Sequence, residues 1–281
     1  MNLFSASSFL PDTSSCNANF GRSEMKQILT IFLLTMALGC LGQTAPKKEG
    51  MVQDSAVGSA LFRISYTAQL PVGDYAQRFG FTNHIGASIG YRSKKNWIFT
   101  LGANFIFGVN VVGKDSLLAN IINSSNIIIG QGGEQAYIDI SQQGYMVNFE
   151  FGKIFPLKAP NPNSGFMFTL GGGFMEHWIR YNAEGDAVPQ IRGDYHKAYD
   201  RLTNGIFIQE FIGYHYQGST RLLNFYGGFE FTQGFSANRR SYDIPSMSSK
   251  QGEKYVDILF GFKVGWMMPF YKRNQDKYYY Y

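Results

Sequence analysis

The sequence predicts an all-β fold, an eight-stranded antiparallel transmembrane β-barrel with short periplasmic turns and longer outer loops. Three observations predict it. Eight segments after residue 57 alternate apolar and polar residues with the period of a strand. The connections between them alternate between short and long. An export-type segment is followed by no apolar run long enough for a membrane helix, so any insertion must use strands.

Composition agrees with strands. The 281 residues include 25 Phe, 18 Tyr and 32 Gly, with only 16% charged, and aromatic plus Gly enrichment favours β over helix. The formal charge of +5 raises nucleic acid as a partner. The Lys and Arg are scattered without a basic stripe or recognition motif, so none is expected.

Residues 1–24 lack periodicity and read as an upstream extension. Residues 25–42 read as a signal peptide: Lys26, the apolar run Ile28 to Leu41, then Gly42 and Gln43. Ala37-Leu38-Gly39-Cys40 offers a competing outcome, lipidation at Cys40, without the bulky aliphatic usual three residues before the cysteine. Cys16 and Cys40 both precede the expected cleavage near Gly42, so the mature chain holds neither a disulfide framework nor a cysteine metal site. Residues 43–57 then form a periplasmic linker, 58–271 the barrel and 272–281 an aromatic periplasmic tail.

The phases assign faces. In the first segment Phe62, Ile64, Tyr66, Ala68 and Leu70 oppose Arg63, Ser65, Thr67 and Gln69. The third is cleanest, with Phe99, Leu101, Ala103, Phe105 and Phe107 against Thr100, Gly102, Asn104 and Gly108. The second, fourth, seventh and eighth behave alike, and place Glu150, Glu230, Asp257 and Lys263 on the polar face. In the fifth, Phe166 to Arg180, Gly171 to Gly173 predicts a bulge and a change of phase before Glu176. In the sixth, Ile206 to Tyr216, Glu210 is placed inward because a carboxylate in lipid is the costlier arrangement.

A soluble sandwich would alternate too, so connection lengths decide. Ser93 to Asn96, Leu157 to Ser164 and Gln217 to Arg221 are short, whereas Asn110 to Gln143, Tyr181 to Asn204 and Ala237 to Glu253 are long. This is the pattern of an outer-membrane barrel, and an even strand number puts both ends in the periplasm. Lys94, Lys95 and Asn163 then face the periplasm, and Asp115, Asp186 and Lys250 face outward. Aromatic residues such as Tyr91, Trp97, Tyr145, Trp178 and Trp266 fall near segment ends, where interfacial girdles need them.

Eight strands enclose an interior that side chains can fill. The inward charges Arg63, Glu150, Glu210, Glu230, Asp257 and Lys263 therefore read as a packed network, with Arg63 and Lys263 neutralising the carboxylates. A narrow ion path is the functional alternative. For a lipid-modifying enzyme the candidates are His177 and His215, but no His has a Ser or carboxylate at a recognisable spacing and Gly-x-Ser-x-Gly is absent. Each His, including His84 and His196, reads as a rim or loop residue. No metal site and no cofactor is expected, since the histidines are dispersed, carboxylates such as Glu184 suit a solvated loop, and no helix or Lys supports Gly171 to Gly173 as a phosphate loop. Loop 110–143 carries Leu117, Leu118, Ile121, Ile122, Ile127, Ile128 and Ile129, too apolar for open solvent. It reads as a lid or self-packed hairpin, or as a contact for another envelope protein. The tail is a second candidate contact.

Leu70-Pro71-Val72-Gly73-Asp74-Tyr75-Ala76 with Arg78-Phe79-Gly80, between Gly-rich alternating strands, resembles the outer-membrane β-barrel proteins of Bacteroidetes-type bacteria over about residues 58–271. Lys263, Gly265, Met268 and Phe270 are spaced like the signal read by the barrel-assembly machinery, though Pro269 falls inside it and a tail follows. The resemblance implies an outer-membrane location and lipid as a partner, not an activity. The expected role is a non-enzymatic structural or accessory subunit of an envelope or secretion assembly. A small passive channel is the alternative, and a lipid-modifying enzyme a further one.

Overall fold

In a computed structural model, residues 58–270 are described, apart from 126, 158–161, 184–187 and 219–223. The readings made on 1–57 with both cysteines, on Glu184 and Asp186, and on the tail lie outside the described residues. The alternating segments form strands β1 (Ser59–Gly73), β2 (Thr82–Arg92) and β3 (Trp97–Gly108). A minor pair follows, β4 (Ile128–Ile129) and β5 (Gln135–Ala136), and then β6 (Ile138–Phe155), β7 (Gly165–Ala183), β8 (Thr203–Gln217), β9 (Asn224–Asn238) and β10 (Lys254–Phe270). The barrel closes in the order β1-β10-β9-β8-β7-β6-β3-β2. Every neighbouring pair is antiparallel, and β1 is hydrogen-bonded to both β2 and β10. Closure leaves no free edge, which is what a β-structure needs where water cannot satisfy its backbone.

Ala60 pairs with Phe270, so the first and last strands meet at one end of the barrel, the end with the short connections. The β2–β3 turn shows how it is held tight. Ser93 Oγ accepts from the amides of Lys95 (3.3 Å) and Trp97 (3.1 Å), and Asn96 takes φ 61°, a left-handed conformation that Asn tolerates better than most residues. At the opposite end β6 and β7 overshoot their neighbours. Their pairing runs to Ile138↔Ala183, whereas β3 meets β6 only as far as Gln142 and β8 meets β7 only as far as His177.

The polarity of the barrel is inverted relative to a soluble one. Arg63, Glu150, Glu230 and Lys263 are 2–4% exposed, while Ile85, Ile89, Leu101, Phe149, Ile208, Ile212, Phe229 and Phe260 are 47–62% exposed. Returning the open half of these eight side chains to an apolar medium is worth about 1 kcal/mol each. That sum is of the order of a domain's whole stability, so the belt requires a covering of hydrocarbon. β2 and β3, of 11 and 12 residues, match the ~9–11 residues that cross a bilayer when tilted.

Two expectations about phase are corrected. β7 contains no bulge: it pairs with β6 residue for residue from Phe155↔Phe166 to Ile138↔Ala183, its even-numbered residues stay outward, and Glu176 faces out. The glycines allow this regularity by close approach. A Cβ on Gly173 would lie 1.9 Å from the Val147 carbonyl oxygen. In β8, Glu210 faces outward and Gln209 inward. The cost of one carboxylate was set against the wrong alternative, because a one-residue slip moves every side chain to the other face. Keeping Glu210 inside would have turned Ile206, Ile208, Ile212, Tyr214 and Tyr216 into the lumen. Glu210 stands at the midpoint of β8, opposite Leu170 and Phe231 on the lipid side. Glu210→Leu is accordingly expected to raise the unfolding free energy in phospholipid vesicles by about 1–2 kcal/mol. A loss of stability on that substitution would contradict the outward placement.

Candidate functional site: the lumen and its cap

Inward side chains stack in layers. At the short-turn end, Leu61, Ile98, Ile154, Met167, Phe211, Tyr226 and Met267 form an apolar plug, beside which buried Arg92 donates to Gln217 Oε1 (2.6 Å). Above it lies the charged layer. Arg63 donates to Ser88 Oγ (2.9 Å), Thr100 Oγ1 (2.6 Å) and Glu150 Oε2 (2.6 Å). Lys263 bridges Glu150 Oε1 (3.3 Å) and Glu230 Oε2 (2.7 Å). Asn148 donates to Glu150 (3.0 Å), and Gln69 (2.9 Å) and Gln209 donate to Glu230.

This layer sets two cations against two carboxylates, so the network is neutral, as a buried set of charges needs to be. The space left beside Arg63, Glu150 and Lys263 is about 10 Å³, the room of roughly one water. Ile106, Met146, Met175 and Phe207 close the next level. Asp257 does not join Arg63 and Lys263, contrary to the sequence expectation; it lies nearer the long-loop end, where different groups reach it.

The first loop supplies those groups. Between Gly73 and Thr82 the chain folds inward, burying Tyr75 and Phe79. Arg78 forms an ion pair with Asp257, donates to Thr203 Oγ1 (3.3 Å) and lies 4.2 Å from the Tyr255 ring centre. Gln142 donates to the Tyr75 hydroxyl. Burial and the Asp257 charge push that hydroxyl above its ordinary pKa, outweighing Arg78 and Gln142, so it stays neutral. The motif that carried the family resemblance is thus a plug.

Over the plug the other loops build an apolar cap. Tyr75 and Phe79 pack with Val111, Leu117, Ile128, Ile179, Val188 and Tyr199, and Leu118, Ile121 and Ile122 lie against the same cluster. In loop 110–143, Val112, Ile129 and Tyr137 remain exposed. Backbone bonds tie the loops together: Gly80 to Asn110, Val112 to Arg78, Ile244 to Ala198 and Arg239 to Leu202. Asp243 anchors the last loop by accepting from Arg201 Nε and Nη2 (both 2.9 Å) and from Ser246 (2.5 Å). Burial alone would raise the pKa of this carboxyl, but the hydrogen bonds of Arg201 and Ser246 and the charges of Arg201 and Lys250 hold it below its usual value.

A depressed carboxyl stabilises the fold above its unfolded pKa, and that stability is lost as pH falls through the folded one. Proteolytic nicking of the 239–253 loop is therefore expected to be flat above pH ~4 and to rise below it. In Asp243→Asn the nicking above pH ~4 should stand at about the level the parent chain reaches in acid, with the acid dependence gone.

The histidines are not rim residues. His84, His177 and His215 are 0–3% exposed and point into the barrel, which corrects their expected placement; only His196 is in a loop, on the helix Gly193–Tyr199. His177 Nε2 lies 3.5 Å from Asp257 Oδ2, and Ser236 donates to that same oxygen at 2.5 Å. Ser and His thus share an acceptor, whereas nucleophilic catalysis needs the Ser to donate to the His. The rings of Tyr75 and Phe79 cover His177, at 5.0 and 5.4 Å between centres. Among the described residues no group of three His, Cys, Asp or Glu is placed to hold a metal.

Sequence reasoning missed Arg78, Tyr75, Gln142 and Ser236 as partners around Asp257. A cation and two aromatics in the shortest long-end loop, together with a surplus inward carboxylate, were the available signal.

The fold and the lumen define a class: a closed eight-stranded barrel with an apolar exterior and a packed interior whose central charged layer is neutral. No family model matches the chain, and no curated protein matches it. Solved structures similar to it are Neisserial surface protein A (11% identity, TM-score 0.42, covering 76% of this chain and 99% of that one) and a major outer membrane protein from Thermus thermophilus (10%, 0.38, 75% and 100%). The N-terminal β-barrel domain of Pseudomonas aeruginosa OprF is a third (11%, 0.35, 75% and 99%). Likenesses of this degree bear on neither activity nor partner.

Proposed function

We propose that the chain is a non-enzymatic outer-membrane β-barrel, a structural or accessory subunit of an envelope or secretion assembly, with its short turns periplasmic and its capped end outward. The inverted polarity carries this reading. A lumen closed by apolar layers on both sides of its neutral charged layer favours an accessory role over a small channel, because conduction needs a continuous polar path. The covered His177 gives a lipid-modifying reaction no accessible base.

Both ends of the barrel strands lie at the short-turn end, which fits threading from the periplasm. Lys263, Gly265, Met268 and Phe270 of β10 suit recognition by the barrel-assembly machinery in the Bacteroidetes manner. Loop 110–143 and tail 272–281 are the candidate segments for contact with an envelope partner. The test is fractionation followed by reconstitution. The protein should pellet with the outer membrane, migrate faster before boiling than after, and give no current steps in planar bilayers. Steady conductance would restore the channel reading, and recovery in the soluble periplasm would overturn the membrane assignment. Purification in mild detergent should also bring down a companion protein; a lone monomer under all conditions would count against the accessory role.

A further inference from the structure

The apolar belt is interrupted on one sector of the barrel. Glu210 lies exposed at the midpoint of β8, with Ile208 and Ile212 beside it on the outward face, Leu170 of β7 across one edge and Phe231 of β9 across the other. One pair further along, Gln233 of β9 stands opposite Ile208 and shares the lipid side. A carboxylate and an amide thus meet at hydrocarbon depth, where headgroups are ~15 Å away across half of a ~30 Å core.

Polar groups elsewhere on the outward face are satisfied within the chain. Tyr66 donates to Asn83 at 2.6 Å. Tyr145 and Asn204 donate to Glu176 at 2.9 and 2.8 Å, and the Lys153 ammonium lies 5.1 Å from the Trp97 ring centre. Among the described residues nothing donates to the Glu210 carboxylate, and the Gln233 amide has no hydrogen-bond partner. The surface around them has relief. Gly172 pairs with Ile208 and puts no side chain on this face, which leaves a hollow diagonal to Glu210. On the other side Phe231 and Phe260 pack with ring centres 4.6 Å apart, an aromatic wall of the kind that anchors interfaces.

A carboxylate facing hydrocarbon calls for a donor from outside the chain. Lipid amines belong to headgroups and stay at the surface. A second copy threaded the same way is related by an axis along the membrane normal, which preserves depth and sets Glu210 against Glu210, two like charges. A different protein meets neither obstacle.

We propose that the β7–β9 face around Glu210 docks a second membrane protein, of different sequence, that brings a Lys or Arg side chain to this carboxylate at mid-depth, with Gln233 as a further hydrogen-bonding group. The inference rests on the accessory-subunit reading and gives that assembly a lateral contact within the membrane.

The test uses the full chain in intact cells, with a photo-crosslinking amino acid at Ile208, beside Glu210, or at Ile85 on β2, the strand opposite β8 in the ring. Irradiation should give a protein adduct of fixed size from Ile208 and none from Ile85. In Glu210→Leu the adduct should fall by at least about tenfold, the scale of truncating one partner of a desolvated charge pair. The companion's crosslinked peptide should contain a Lys or Arg whose replacement by Leu lowers the yield as far, with no further loss when both substitutions are combined. Glu210→Leu should keep the heat-dependent mobility of a folded barrel, so that a lost adduct is not a lost fold.

Adducts that persist in Glu210→Leu, that contain only lipid, or that join two copies of this chain would overturn the proposal, as would a crosslinked peptide without a basic residue. A companion that co-purifies equally with the parent chain and with Glu210→Leu would leave the accessory reading standing and defeat the lateral contact. A parent chain that gives neither companion nor adduct would defeat both.

Discussion

Lys263→Met is expected to lower the unfolding free energy in lipid vesicles by about 3–5 kcal/mol, the usual loss when one partner of a buried ionic network is removed. Lys263 is the only group between Glu150 and Glu230 in this network that touches both carboxylates. Without it, Arg63 still holds Glu150, while Glu230 keeps only the amides of Gln69 and Gln209. This buried layer then carries a net negative charge. Neutralising Glu230 at the same time, in Lys263→Met/Glu230→Gln, should recover most of the loss, because two charges are removed and the amide donors Gln69 and Gln209 still find a carbonyl acceptor at that position. Urea titration of vesicle-embedded protein reads both numbers. If the double variant is as unstable as the single, side-chain volume rather than charge balance governs this layer.

Gly173→Val is expected to prevent barrel formation altogether. The Cβ would sit 1.9 Å from the Val147 carbonyl oxygen and 2.8 Å from the Asn148 Cα. Both are backbone atoms of the paired strand and cannot swing aside as a side chain can, so relief requires separating β6 from β7. Overpacking against mobile side chains costs about 1–3 kcal/mol; here the loss should reach the ~5–15 kcal/mol of the fold itself. Gly227→Ala is the control, since that Cβ points outward and meets nothing nearer than 3.7 Å. In refolding into vesicles, only the Gly227 variant should acquire the fast-migrating folded form. A folded Gly173→Val would mean that β6 and β7 are not in the register Val147↔Phe174.

The barrel was legible because strand alternation and loop length are local properties. Phe99, Leu101, Ala103 and Phe105 declare their face without reference to any other strand. The same locality explains what was missed. Whether Glu210 or Gln209 points inward depends on what waits inside, and that is Glu230 of the neighbouring strand accepting from Gln209. Three glycines in a row suggest a bulge when β7 is read alone, yet in the sheet Gly171 and Gly173 are where β6 comes too close for a side chain, and Gly172 is where the Phe207 carbonyl of β8 approaches. The charged layer was legible in membership for Arg63, Glu150, Glu230 and Lys263. The fate of Asp257 was not, because its partner Arg78 is on a loop that folds back through the barrel mouth. Loop 110–143 announced its need for cover by composition, but the covering residues come from every long-end connection and carry no signal of proximity in sequence.

The most direct test of the account is thiol labelling on living cells, with single cysteines at Asp115 on the capped end and Lys95 in the β2–β3 turn, both exposed positions. The parent chain serves as the control for Cys16 and Cys40. Asn163, although on the same side as Lys95, is a poor reporter because it is buried and its carbonyl accepts from Arg92 at 3.4 Å. The account predicts that a membrane-impermeant maleimide labels Asp115→Cys on intact cells and labels Lys95→Cys only after the outer membrane is permeabilised. Labelling of Lys95→Cys on intact cells, with Asp115→Cys reached only after permeabilisation, would contradict it.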